Sequence, residues 1–111
     1  MKGVEGVPQR LWKEGDKCEL PSRPVQHLSQ SAEDKAMFGL FYKHPLKCGG
    51  TMVEIGALDG MQYSNSWFFE KALKWNTLLI EAQFDNYNKL VKNRPNGWNE
   101  NTAMCAGGSG T

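Results

Sequence analysis

The sequence lacks the features that point to a metal centre, a nucleic-acid partner or a membrane span. Only two of its 111 residues are histidine and three are cysteine. No Cys-x-x-Cys pair occurs, so no metal site is expected. Thirteen Lys and Arg residues against twelve Asp and Glu leave a net charge of +1, which gives no electrostatic reason to expect nucleic acid or an anionic membrane as partner. The apolar runs are too short for a membrane-spanning helix.

The cysteines and the first residues indicate a compartment. Cys18, Cys48 and Cys105 are odd in number and widely spaced, which is typical of reduced thiols rather than of a disulfide framework. Residues 1–6 contain no apolar stretch of the kind found in a secretory signal. These features predict a cytoplasmic protein, and nothing in the sequence indicates its oligomeric state.

One domain is the most that this length allows, and the apolar content of 40% is enough to build its core. Prolines and glycines interrupt residues 1–28, which predicts an irregular N-terminal arm. A patch around Trp12 could dock this arm on the domain, but a loose arm fits the sequence equally well. Residues 29–111 form the predicted domain.

Helices and strands alternate from residue 31 onwards. The predicted elements are, in chain order, a helix over about 32–43, a strand over 51–55, a helix over about 65–74, a strand over 77–80, a helix over about 86–93 and a strand over 101–105. This order predicts an α/β protein with right-handed βαβ units and a parallel sheet covered by helices on both faces.

The same patterns predict the helix caps and the residues that face the core. Ser31 is expected to cap the first helix together with Asp34, and Asp85 is expected to cap the third. The residues expected to face the core are Met37, Leu40 and Phe41 in the first helix, Phe68, Phe69, Ala72 and Leu73 in the second, and Tyr87, Leu90 and Val91 in the third.

The chemically informative feature is the turn that follows the first strand. Gly56 and Gly60 bracket this turn, and Glu81 follows the next strand, 21 residues after Gly60. A parallel strand that runs through a glycine turn into a helix is a common nucleotide-binding arrangement. A carboxylate at the end of the next strand can accept hydrogen bonds from both ribose hydroxyls.

Two residues distinguish between cofactors. Leu58 occupies the position of the second glycine in the dinucleotide fingerprint, where a small residue leaves room for pyrophosphate. Glu54 stands two residues before Gly56, and a carboxylate there would repel pyrophosphate but would suit a ligand with an ammonium and a sulfonium group. The pattern therefore favours S-adenosylmethionine over NAD.

Several segments resemble the FkbM-type S-adenosylmethionine-dependent methyltransferases. They are residues 53–60 (VEIGALDG), 63–66 (YSNS), 68–70 (FFE), 79–82 (LIEA) and 92–95 (KNRP), and upstream residues 29–34 (SQSAED). The resemblance covers roughly residues 29–106. It implies a three-layer, Rossmann-like fold with a parallel sheet of the class I methyltransferase type.

The resemblance also implies roles for single residues. Glu54, Gly56 and Gly60 would hold the methionine end of the cofactor, and Glu81 would bind the ribose. Asp59 and Asn65 would lie close to the cofactor. The implied activity is methyl transfer to an oxygen of a small-molecule hydroxyl acceptor, such as a sugar or another small metabolite, and no catalytic residue can be named.

The chain departs from the family pattern in length. Only three of the seven expected strands fit into it, and residues 106–107 lack the polar residue expected near the adenine. We therefore expect the N-terminal, cofactor-binding half of a methyltransferase, truncated after its third strand and inactive alone. Two alternatives are a non-catalytic fragment that binds a cofactor or a partner, and half of an NAD-dependent oxidoreductase.

Simpler structural explanations exist for the same residues. Glu54 and Glu81 could be exposed strand-end carboxylates, and Asp59 could only shape its turn. Asn65 could be a helix cap. The basic stretch formed by Lys89, Lys92 and Arg94 is expected to be a solvated surface.

Overall fold

A computed structural model of the protein describes residues 10–103. Its elements are α1 (Glu33–Met37), a π-helix (Phe38–Tyr42), β1 (Thr51–Ile55), α2 (Trp67–Leu73), β2 (Asn76–Ile80), α3 (Phe84–Asn93) and β3 (Trp98–Glu100). Residues 10–28 contain no helix or strand. No helix within residues 10–103 has both the length and the apolar character needed to cross a membrane.

The three strands form one parallel sheet in the order β1-β2-β3. Met52 of β1 lies opposite Thr77, and Leu79 of β2 lies opposite Asn99 of β3. The helices α2 and α3 connect successive strands, as βαβ units require. The predicted α/β class with a parallel sheet is therefore confirmed.

Both connecting helices pack on the same face of the sheet. Leu90 of α3 packs against Leu79, and Thr77 donates a hydrogen bond of 2.7 Å to Glu70 of α2. The strands are in the order β1-β2-β3, and two successive crossovers of the same hand along that order place both connecting helices on one face of the sheet. Within the described part of the chain the opposite face has no helical layer, and Val53 and Ile55 on it are 55% and 61% exposed. The prediction of helices on both faces is therefore wrong for residues 10–103.

The first helix differs from its prediction in its inner face. Its second half is a π-helix, and the wider π-turn rotates side chains away from their positions in a regular α-helix. Phe38 is buried, whereas Leu40 and Phe41 are 76% and 69% exposed, and Met37 is half-buried. The inward face predicted for Leu40 and Phe41 is therefore wrong.

The first cap also differs from its prediction. Ala32 occupies the N-cap position of α1 with a left-handed φ of 60°. Ser29 replaces Ser31 as the capping residue, because its hydroxyl accepts from the Asp34 N–H at 3.2 Å. The Asp34 carboxylate accepts in return from the Leu28 and Ser29 N–H groups, at 3.0 and 3.4 Å.

The helix α3 begins two residues before its predicted start. Gln83, not Asp85, caps it by accepting from the Asn86 N–H at 2.6 Å. Of its three expected inward residues, Leu90 is completely buried and Tyr87 is half-buried, whereas Val91 is exposed. The helix contacts the sheet along a narrow stripe, which does not include Val91.

The third strand lies three residues earlier than predicted. It covers Trp98–Glu100, and Asn101 then leaves the sheet. The Asn101 side-chain amide donates to the carbonyls of Glu81 and Ala82, at 2.9 and 3.1 Å, and thereby ties the chain to the end of β2. Residues 104 and 105 of the predicted strand lie outside the described residues.

The core is built from the inner face of α2. Phe68, Phe69, Ala72 and Leu73 are all buried, as the apolar spacing predicts. Trp75 packs on them, with 4.8 Å between its ring centroid and that of Phe69.

A disulfide joins the N-terminal segment to this core. Cys18 and Cys48 are bonded, with their Cα atoms 5.7 Å apart, so the prediction of reduced thiols is wrong for this pair. The irregular segment folds back over the domain: the Leu11 N–H donates to the Asn76 side chain at 3.2 Å, and Trp12 packs against the core. Sequence spacing carries no information about such a spatial approach. Cys105 lies outside the described residues.

Candidate functional site

The glycine turn after β1 folds over the end of β2. The N–H groups of Gly56 and Ala57 both donate to the Ile80 carbonyl, at 2.8 and 3.0 Å. Gly56 has a left-handed φ of 74°, and no atom outside Gly56 and its two chain neighbours lies within 4 Å of the position that a Cβ would occupy there. A ligand can therefore approach the Gly56 backbone closely, at the carboxyl ends of the strands.

Glu81 lies next to this turn, directly after β2. Its Oε1 accepts from the Leu58 N–H at 2.7 Å, and its Oε2 accepts from the Gln83 N–H at 2.9 Å. Only 5% of the residue is exposed. The carboxylate therefore ties the β1 turn to the start of α3, rather than standing in solvent at the end of a strand.

Glu54 is turned toward the loop before α2. Its Oε1 accepts from the hydroxyls of Ser66 and Ser64, at 2.6 and 3.1 Å, and its Oε2 accepts from the Asn65 N–H at 2.9 Å. The residue is half-buried. Its three hydrogen bonds position the loop that starts α2.

Asp59 shapes its own turn. Its Oδ1 accepts from the N–H groups of Gln62 and Met61, at 2.8 and 2.9 Å. The Gln62 hydrogen bond lowers the pKa of Asp59 below its ordinary value, and the Met61 hydrogen bond and the charge of Lys89 act in the same direction against partial burial. Asp59 is therefore an anion at neutral pH.

Gly60 and Asn65 both make contacts within the protein. A Cβ on Gly60 would lie 2.6 Å from Cγ of Arg94 and 2.8 Å from Cδ1 of Leu90, so this glycine makes room for protein side chains. The Asn65 side-chain oxygen accepts from the Ser29 hydroxyl at 2.6 Å, which joins the α2 loop to the start of α1.

Arg94 is central to this site, although the sequence patterns do not reveal its role. It is completely buried, whereas Lys89 and Lys92 are exposed as expected. Its guanidinium donates to the Gly60 carbonyl and the Ser64 hydroxyl through Nη1, at 2.9 and 3.2 Å. The prediction of a solvated surface is therefore wrong for Arg94.

The same guanidinium connects the α2 loop to the helix. Arg94 Nη2 donates to the Ser66 hydroxyl at 3.0 Å and to Glu70 Oε1 at 2.8 Å, and Nε donates to the same Glu70 oxygen at 3.1 Å. Burial would raise the pKa of Glu70, but these hydrogen bonds, the Arg94 charge and the Thr77 hydroxyl together lower it. Glu70 and Arg94 are thus held as a buried ion pair.

One signal in the sequence could have indicated this pair. Glu70 lies on the inner face of α2, between Phe69 and Leu73, where an unpaired carboxylate would be costly. A buried cation was therefore required, but nothing in the local pattern shows that it comes from Arg94, 24 residues later in the chain.

The open Gly56 backbone leaves space for a ligand, and the carboxyl groups of Glu54, Asp59 and Glu81 belong to the strand ends and the turn around it. Within residues 10–103, no three His, Cys, Asp or Glu side chains are grouped to hold a metal ion. The Arg94 charge is neutralised by Glu70, so this edge of the sheet favours a cationic or hydroxyl-bearing ligand over a polyanion.

Comparison with known proteins adds no relative: no family model, no curated protein and no solved structure matches this chain.

Proposed function

We propose that this chain carries the cofactor-binding half of an S-adenosylmethionine-dependent methyltransferase that acts on a hydroxyl of a small molecule. The observation that carries the proposal is the open, left-handed Gly56 at the carboxyl edge of the sheet, next to the carboxylates of Glu54 and Glu81. The motif resemblance over residues 29–106 supports the same assignment.

Glu81 retains the chemistry needed to bind a ribose. A carboxylate has about four lone-pair sites, and Glu81 uses two of them for the Leu58 and Gln83 N–H groups. Two acceptor sites remain for two hydroxyls. Because the residue is only 5% exposed, the ribose reaches it only if the turn at residues 56–60 shifts on binding.

The charge at this edge suits the methionine end of the cofactor. Glu54 and Asp59 are acidic, and the nearby Arg94 is already paired with Glu70. An ammonium and a sulfonium would be attracted here, whereas the pyrophosphate of NAD would be repelled. Bound S-adenosylmethionine would supply an electrophilic methyl group. This chain's part is to hold and orient it, and no residue is assigned as the base for the acceptor hydroxyl.

Titration calorimetry on the full chain tests the proposal. We expect S-adenosylmethionine to bind and NAD not to bind. Gly56→Asn should weaken binding by about tenfold or more, because an added side chain enters the open space while asparagine tolerates a positive φ. Gly15→Asn is the matched control, since Gly15 also has a positive φ and no atom near its Cβ position.

Each outcome has a definite meaning. Binding that is unchanged in Gly56→Asn would place the ligand elsewhere and contradict the proposed site. Binding of NAD in preference would favour the oxidoreductase alternative. A folded chain that binds neither compound would favour a non-catalytic fragment.

A further inference from the structure

A first cavity lies on the other side of α2 from the polar network, between this helix and the N-terminal segment. It has a volume of about 380 Å³. Its apolar lining comes mainly from Leu20, Pro21, Val25, Phe38, Phe68 and Ala72. A volume of this size is within the range of small-molecule sites in proteins.

Aromatic groups make one wall of this cavity rigid. The His27 ring stacks on Phe68 with 4.0 Å between centroids, and Phe38 packs at 4.8 Å from Phe68. His27 Nδ1 lies 3.5 Å from the Asp34 carboxylate, so this nitrogen is directed at the protein. The wall therefore offers a ligand mainly apolar contact.

Lysines surround the adjoining opening. A second cavity of about 450 Å³ is lined by Lys17, Lys71 and Lys74, and by one acidic residue, Glu19. It shares Leu20, Pro21, Ser22 and Ala72 with the first cavity, so the two form one groove with an apolar end and a basic end.

The charge at the basic end is only partly neutralised. Lys17 pairs with Glu19 at 3.6 Å in an exposed contact, which is weak. Lys71 lies 3.3 Å from Glu70 Oε2, but Arg94 already balances that carboxylate. Within residues 10–103, Lys74 forms no ion pair. The basic end therefore has an excess of positive charge.

We propose that this groove binds a small organic acid, with its apolar body in the cavity and its carboxylate among Lys17, Lys71 and Lys74. Charge complementarity favours an anionic head group, and the apolar lining favours an aliphatic or aromatic body. The site does not depend on the proposed cofactor function: Ala72 and Lys74 lie where α2 ends and β2 is about to begin, whereas Gly56 follows the carboxyl end of β1.

Calorimetric titration of octanoate into the full chain tests this proposal, with octanol and acetate as probes of the tail and the head group alone. We expect octanoate to bind more tightly than either, and added salt to weaken it. Lys17→Glu/Lys74→Glu should reduce octanoate affinity by about tenfold or more. Lys89→Glu/Lys92→Glu changes the net charge equally on the exposed surface of α3 and should leave the affinity unchanged.

A steric variant tests the apolar end separately. Ser22 is exposed and lines both cavities, so Ser22→Trp should block the groove without disturbing the core, and octanoate binding should be lost. Three results would each overturn the proposal. They are octanol binding as tight as that of octanoate, an equal loss of octanoate affinity in both lysine double variants, and no saturable octanoate binding in the millimolar range. Binding to anionic phospholipid vesicles without octanoate binding would overturn it as well, and would indicate a membrane surface instead.

Discussion

Arg94 and Glu70 form a buried ion pair, in which Arg94 is completely buried and Glu70 is 3% exposed. Nη2 of Arg94 lies 2.8 Å and Nε 3.1 Å from the same oxygen, Oε1 of Glu70. The pair joins the end of α3 to the middle of α2, and the other guanidinium contacts hold the Gly60 carbonyl and the serines of the α2 loop. One buried side chain therefore supports both segments that lead to the candidate site.

Replacement of Arg94 by methionine should destabilise the protein strongly. The variant removes the buried cation and leaves Glu70 with only the partly exposed Lys71, 3.3 Å from its other oxygen. Breaking a buried pair costs about 3–5 kcal/mol of unfolding free energy. Urea denaturation would measure the loss. Lys92→Met, at an exposed position of α3, should change stability by no more than about 0.5 kcal/mol. Equal stability of the two variants would show that the buried pair does not support the fold.

The pH dependence of stability should also report this pair. The pKa of Glu70 is lowered in the folded protein, so the unfolded state takes up protons first as the pH falls. The stabilising effect is complete above the ordinary glutamate pKa of about 4.3 and is lost as the pH falls through the lower folded value. Glu70→Gln should therefore show a shallower loss of stability on acidification in urea titrations. Parallel pH profiles of the two proteins would contradict this assignment. The pKa of Asp59 is also lowered, and this residue contributes equally to the pH profiles of the unmodified protein and of Glu70→Gln.

Local patterns were sufficient for the elements that they describe directly. The strand at residues 51–55 and the buried face of α2 follow from β-propensity and helical spacing, and the structure has both. No local sequence pattern predicts the π-helix. Leu40 and Phe41, which a regular α-helix was predicted to bury, are exposed to solvent as a result. The predicted cover on both sheet faces rested on the alternation of helices and strands. That alternation does not fix the strand order β1-β2-β3, which places both connecting helices of residues 10–103 on one face.

In the candidate site, too, local patterns predicted some features and missed those that depend on tertiary contacts. The glycine turn and the carboxylate of Glu81 were found from their spacing, and the structure places them side by side. Their hydrogen-bond partners could not be found in this way, because they depend on tertiary contacts. Arg94 reaches the α2 loop from 28 to 30 residues away, and no sequence periodicity describes such a contact.

The disulfide gives a direct test of the N-terminal segment. Cys18 and Cys48 are 30 residues apart, and closing a loop of this length is worth about 3–4 kcal/mol in the chain-entropy description. Cys18→Ser should reduce the unfolding free energy by this amount, relative to Cys105→Ser as control. Thiol titration of the unreduced, denatured chain should detect one reactive thiol. Three reactive thiols would restore the prediction of reduced cysteines. Disulfides persist mainly in oxidising compartments, so a count made on protein taken directly from its source cells also tests the cytoplasmic prediction.

We expect that Gly60 tolerates no side chain, whereas Gly39, a glycine within a helix, tolerates one. Gly60→Ala forces a Cβ to within 2.6 Å of Arg94 Cγ, at a φ of 86°, and overpacking together with the left-handed conformation should cost about 2–4 kcal/mol. Gly39→Ala is the control, because no atom outside the chain neighbours and the helix's own backbone lies within 4 Å of that Cβ position. Its stability should be unchanged or higher by up to about 1 kcal/mol. Urea denaturation of both variants separates the explanations: a stable Gly60→Ala protein would mean that Arg94 does not pack under the turn, and the turn would then be available to a ligand at Gly60 as well as at Gly56.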